Sequence, residues 1–112
     1  MRTPSEVKSF SEIRQNLNPC CSYIILEGEF GKNAAAEIRK AFDMLPLRTG
    51  DVLETQLYCE AQTRHHLLVA RLARGRGELV KERILLRQIA PNLTLHYYGS
   101  SPEREQHDVQ RL

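Results

Sequence analysis

Between Leu67 and Ile89 the chain carries six cations, and all six are candidate binding residues: Arg71, Arg74, Arg76, Lys81, Arg83 and Arg87. Guanidinium and ammonium groups at this density recognise anions, through charge-assisted hydrogen bonds to carboxylate or phosphate oxygens. Most intervening residues are apolar, Glu78, Glu82 and Gln88 apart, and Arg74-Gly75-Arg76-Gly77 punctuates the run. The pattern reads as a β-hairpin with a loop over Gly75-Arg76-Gly77 and Gly77 supplying positive φ. In that register Leu68, Ala70, Leu72, Val80 and Ile84 share a buried face, with Glu82 among them as an exception. Arg71, Lys81 and Arg83 share the other face with Val69 and Leu79. Arg71 opposite Lys81 needs a counter-charge. Glu54 and Glu60 on the preceding strand could supply it, or an acidic partner could.

Other side chains carry weaker chemistry. Glu27 and Glu29 sit two apart on one strand face, a spacing open to paired carboxylates but equally to solvated charge. The run Glu27-Gly28-Glu29-Phe30-Gly31-Lys32-Asn33 leads from a strand into a helix, where a phosphate loop would stand. Leu26 occupies the place of the first glycine and Asn33 that of the hydroxyl residue, so the motif fails. His65 and His66 are adjacent, and neighbours on a strand face opposite ways, which disfavours chelation of one ion. A Cys59–His96 nucleophile pair is conceivable, although Cys59 falls on the apolar side of its strand. No catalytic signature, cofactor motif or zinc-ligand spacing is present.

These residues must be positioned by a small set of elements. Thr3-Pro4-Ser5-Glu6 has the form of a capping box, and Val7, Phe10, Ile13 and Leu17 then recur at helical spacing up to Pro19. Residues 21–30 read as a strand, central in its first half. Asn33 caps a helix whose stripe is Ala34, Ile38, Ala41, Phe42 and Leu45, ended by Pro46. Val52–Gln62 alternates, with Leu53, Thr55, Leu57, Cys59 and Ala61 on one side. The hairpin follows, then a last strand over Leu93–Tyr98.

The 112 residues suffice for one domain. At 41% apolar and 27% charged, the composition is that of a globular protein, with no Trp. The formal net charge of +2 is mild, and a protein that wraps a duplex usually carries more positive charge, clustered on one face. Three cysteines, Cys20, Cys21 and Cys59, leave at least one free thiol and suit a reducing compartment. With neither an apolar leader nor a membrane-length apolar run, the expected location is the cytoplasm, with no membrane partner.

The stretch Ile24–Leu93 resembles the effector-binding UTRA domains of bacterial transcription regulators, which share the chorismate-lyase fold. The likeness lies in a strand followed by "AAAEIRKAF", the connector "LPLRTGDVL", and "RGELVKER" leading to Leu85-Leu86 and Pro91. The resemblance implies a pocket for a small acidic ligand, with Arg71 and Arg83 as the residues carried over.

The sequence thus predicts a single α+β domain over residues 1–98 and a polar C-terminal tail over 99–112. Its four- or five-stranded, mainly antiparallel sheet carries one main helix on one face, with a short N-terminal helix. The outer sheet face, with Val69, Leu79 and Leu85 among its cations, is expected to support a homodimer. The leading function is a non-enzymatic binding, adaptor or regulatory domain that engages an acidic protein surface or a small anion, without a cofactor. The alternatives are a nucleic-acid-binding protein using the same cations, and a small lyase-like enzyme.

Overall fold

Alternation and helical periodicity compete along this chain, and sheet pairing decides where each prevails. The computed structural model describes residues 4–29, 33–63, 65–75 and 79–99. The elements are β1 (Ser5–Val7), α1 (Phe10–Gln15), β2 (Ser22–Glu29), α2 (Ala34–Asp43), β3 (Val52–Glu60), β4 (His65–Leu72), α3 (Val80–Ile89) and β5 (Leu93–Tyr98). The five strands form one sheet in the order β1-β3-β4-β2-β5. Only β1–β3 is parallel, so the α+β, mainly antiparallel expectation holds. From β2 onward the order is βαββαβ, the split-βαβ or ferredoxin-like arrangement, with β1 and α1 added in front.

The sheet is covered on both sides. Ile24, Leu26, Leu57, Leu68, Ala70, Leu72, Leu93 and Leu95 face α2 and α3 in the larger core. Tyr23, Ile25, Leu67 and Val69 form a smaller core with Phe10 of α1, flanked by Ile13 and Leu17. Residues alternating along one strand supply the two cores, which is why residues 23–26 are apolar on both sides.

The hairpin expectation is overturned in its second half. Residues 80–89 form α3, with Leu79 and Leu86 buried and Val80 and Ile84 exposed. A short run such as 80–84 fits a period of two as well as one of 3.6. Beyond it, Leu79, Glu82 and Leu86 fall on one helical side, and Pro91 supplies a stop. Leu, Lys, Glu, Arg and Gln also favour helix. The outer face proposed for a homodimer is therefore absent: Val69 lies under α1, Leu79 lies in the main core, and Leu85 belongs to α3.

The N-terminal segment differs as well. Ser5–Val7 is a strand beside β3, and helix begins only at Phe10, with the Ser9 hydroxyl accepting from the Ser11 N–H at 3.1 Å. The Val7 carbonyl accepts from Ala61 N–H at 3.0 Å, a sheet-edge bond that local propensity could not reveal. Val7, Phe10, Ile13 and Leu17 nevertheless pack together, so the stripe marked the right side but the wrong conformation for its first member. In β3 a bulge between Val52 and Glu54 turns Leu53 out to solvent, 54% exposed, rather than inward with Leu57. Asn33 occupies the α2 N-cap without a side-chain hydrogen bond. The expected Gly77 turn and most of the polar tail, residues 100–112, lie outside the described residues.

Candidate binding surface

The six candidate cations separate onto different parts of the fold. Arg71 belongs to β4 and points to the α1 side of the sheet, because its neighbours Ala70 and Leu72 point into the α2/α3 core. There it faces Glu54 across the β3–β4 ladder, with Nε to Oε1 at 3.1 Å. The carboxylate holds the Arg71 guanidinium above its ordinary pKa, by hydrogen bonding first and charge second. The counter-charge anticipated from Glu54 is thus supplied within the molecule. Glu60 serves differently: its oxygens accept from the Phe10 N–H at 3.1 Å and the Thr63 hydroxyl at 2.8 Å. Those hydrogen bonds, the Thr63 one foremost, hold its carboxyl below the ordinary value.

Lys81, Arg83 and Arg87 share α3, which packs on the opposite side of the sheet from Arg71. The two residues singled out by the UTRA resemblance, Arg71 and Arg83, therefore do not converge on one pocket. Arg74 is exposed just beyond β4, and Arg76 lies outside the described residues.

A cationic surface does form, with a different scaffold. At 100° per residue, Glu82 and Leu86 lie inward with Leu79, while Val80, Ile84, Arg87 and Gln88 sweep the outward arc between Arg83 and Lys81. The only acid on α3, Glu82, is 6% exposed, so the solvent arc carries three cations and no carboxylate. Among the described residues, no carboxylate stands within ion-pair distance of Lys81, Arg83 or Arg87. The centre of the arc is apolar, with Val80 49% and Ile84 53% exposed. Both were expected in the core on the hairpin reading, which the helix overturns.

On the other side of the sheet, Glu27 joins three elements. Its Oε1 lies 2.6 Å from His96 Nε2 on β5, and its Oε2 accepts from Arg14 Nη2 on α1 at 3.0 Å. A carboxylate only accepts, so this contact needs an N–H at Nε2, and it fixes the orientation of the imidazole ring. Sequence spacing could not signal this cluster, because the three residues come from distant segments. The Cys59–His96 pair does not form: β4 and β2 separate β3 from β5, and Cys59 is instead registered opposite His66. All three cysteines are free thiols. No three His, Cys, Asp or Glu residues are grouped to hold a metal ion among the described residues, where no helix is long and apolar enough to cross a membrane.

A groove of about 470 Å³ runs between α2 and the α3–β5 turn, with Ala41, Met44, Ile89 and Ala90 as its apolar lining and Glu37 and Lys40 on its rim. It lies beyond the C-terminal end of the cationic arc. No family model, curated protein or solved structure matches this chain. The site must therefore be argued from its own chemistry.

Proposed function

We propose that the protein is a binding module that docks an acidic protein surface against the exposed arc of α3, with Lys81, Arg83 and Arg87 contacting carboxylates around Val80 and Ile84. The observation that carries this reading is the inward turn of Glu82, which leaves cations as the only charged residues on the helix's solvent side. The βαββαβ arrangement hosts unrelated functions and adds nothing to the choice. The apolar centre favours a protein partner over nucleic acid: phosphate contacts need no aliphatic groups, and the arc holds no aromatic residue to stack on a base. A helix with apolar anchors inside a charged rim matches the anatomy of protein interfaces.

The test uses a fluorescent 20-residue amphipathic peptide rich in Glu and Leu, beside a 20-base-pair DNA and a single-stranded RNA. The peptide is expected to bind, and the triple change Lys81→Glu, Arg83→Glu and Arg87→Glu to weaken it at least tenfold. Ile84→Asp, which leaves the cations in place, is expected to weaken it as well. DNA or RNA binding whose affinity falls, for each tenfold rise in salt, by about 0.9 log units per neutralised phosphate on the duplex or about 0.7 on the single strand, with no peptide binding, overturns the proposal. So does indifference of peptide binding to both sets of changes.

A further inference from the structure

The two edges of the sheet are built in opposite ways. β1 is three residues long, contains Glu6, follows Pro4 and precedes Lys8; shortness, charge and proline all discourage further pairing. The edge strand β5 is six residues, Leu93-Thr94-Leu95-His96-Tyr97-Tyr98, with no Lys, Glu, Asp, Pro or Gly within it. It runs without a bulge along β2, from Leu93 beside Gly28 to Tyr98 beside Tyr23. The Leu93 N–H is directed to the Ala90 carbonyl at 3.0 Å rather than to β2. Strand alternation then places the backbone groups of Leu95 on the open side.

We propose that β5 pairs antiparallel with β5 of a second copy, extending the sheet across a two-fold axis into ten strands. A two-fold normal to the sheet keeps each face continuous, so a residue opposes one of the same parity. Two registers satisfy this at the strand centre. One opposes Leu95 to Leu95, Leu93 to Tyr97 and Thr94 to His96. The other opposes His96 to His96, setting two titratable rings face to face. The first joins Leu93, Leu95 and Tyr97 to their mates on the α2/α3 side, and it is the register we assign. A second copy is the occupant because this strand is complementary to itself in that register, with no like charges opposed. The outward arc of α3 points away from the sheet, so edge pairing and the docking surface proposed above are independent.

The test begins with sedimentation equilibrium of the full chain from micromolar to several hundred micromolar, where a monomer–dimer equilibrium is expected. Thr94 is exposed, so Thr94→Lys adds an edge charge without touching either core; it is expected to weaken association at least tenfold, while Thr94→Val leaves it unchanged. A spin label at Thr94→Cys, with Cys20, Cys21 and Cys59 changed to Ser, reads the register. The assigned pairing offsets the two labelled positions by two residues along adjacent strands, an α-carbon separation of about 8 Å. The spectra should therefore broaden in the dimer. A monomer at every concentration, or a dimer indifferent to Thr94→Lys with labels beyond about 20 Å, overturns the proposal. A monomer that becomes a dimer when residues 100–112 are removed also overturns it, since the tail would then be the normal occupant.

Discussion

Replacing Leu79 and Ile84 by Ala, one at a time, separates the helix from the hairpin by the sign of the effect. Leu79 is 1% exposed and belongs to the main core with Leu86, Leu93 and Leu95. Removing its isobutyl group loses both the transfer energy and the contacts around the resulting cavity, which together cost about 2–5 kcal/mol. Ile84 is 53% exposed, so Ile84→Ala forfeits only partial burial. It also gains a few tenths of a kcal/mol from the higher helix propensity of Ala, leaving a net change of about ±0.5 kcal/mol. In a hairpin the order reverses: Ile84 would be core and Leu79 would lie outside.

Across 112 residues the unfolding entropy near the midpoint is about 0.24 kcal/mol/K, so a loss of about 3 kcal/mol lowers Tm by about 13 °C. The chain has no Trp, and far-UV circular dichroism in urea is the suitable probe. The expected result is a large drop in the midpoint for Leu79→Ala and nearly none for Ile84→Ala. If Ile84→Ala proves the costlier of the two, residues 80–89 do not form this helix, and the cationic arc is lost with it.

Three other outcomes follow from the α1 side of the sheet. Glu27→Ala removes the acceptor shared by Arg14 and His96 and is expected to cost about 1–2 kcal/mol, with faster amide exchange over residues 10–15; Glu54→Ala, at an exposed pair, should cost within about 0.5 kcal/mol. Glu60 has a carboxyl pKa below its ordinary 4.5, so its contribution is complete above that value and is lost as pH falls through the folded value; Glu60→Gln is expected to flatten the acid limb of stability against pH, and an unchanged limb would refute the role given to Thr63 and the Phe10 N–H.

Much of the fold was legible where one period ran long enough to exclude the other. Ala34, Ile38, Ala41, Phe42 and Leu45 could only be a helical stripe, and β2, β3 and β5 announced themselves by apolar runs or alternation. Residues 80–84 alternate as a strand would, and the choice of helix rests on Leu79 and Leu86 reaching a core assembled from other segments. The pairing of Val7 with Glu60 is likewise tertiary, joining positions far apart in the chain. Of the candidate site, the cations were identified by type, and the Glu54 counter-charge to Arg71 was anticipated from strand alternation. Their division between β4 and α3 was not, because it depends on where the strand run stops.

That division gives the charge on α3 its meaning. On the α1 side, cations and carboxylates meet in pairs: Arg14 with Glu27, and Arg71 with Glu54. Such pairs orient elements and leave little net field beyond a Debye length of about 8 Å. Glu82, by contrast, faces inward from the same helix that presents Lys81, Arg83 and Arg87 outward. Had Glu82 stood on the solvent arc, it could have formed i,i+4 or i,i+3 pairs with its neighbours and quenched the field. The fold instead places the acid where it cannot do so, and Val80 and Ile84, which could have filled the core, stand among the cations. A solvated helix gains nothing from apolar residues at the centre of its exposed arc, whereas a docking helix gains an anchor.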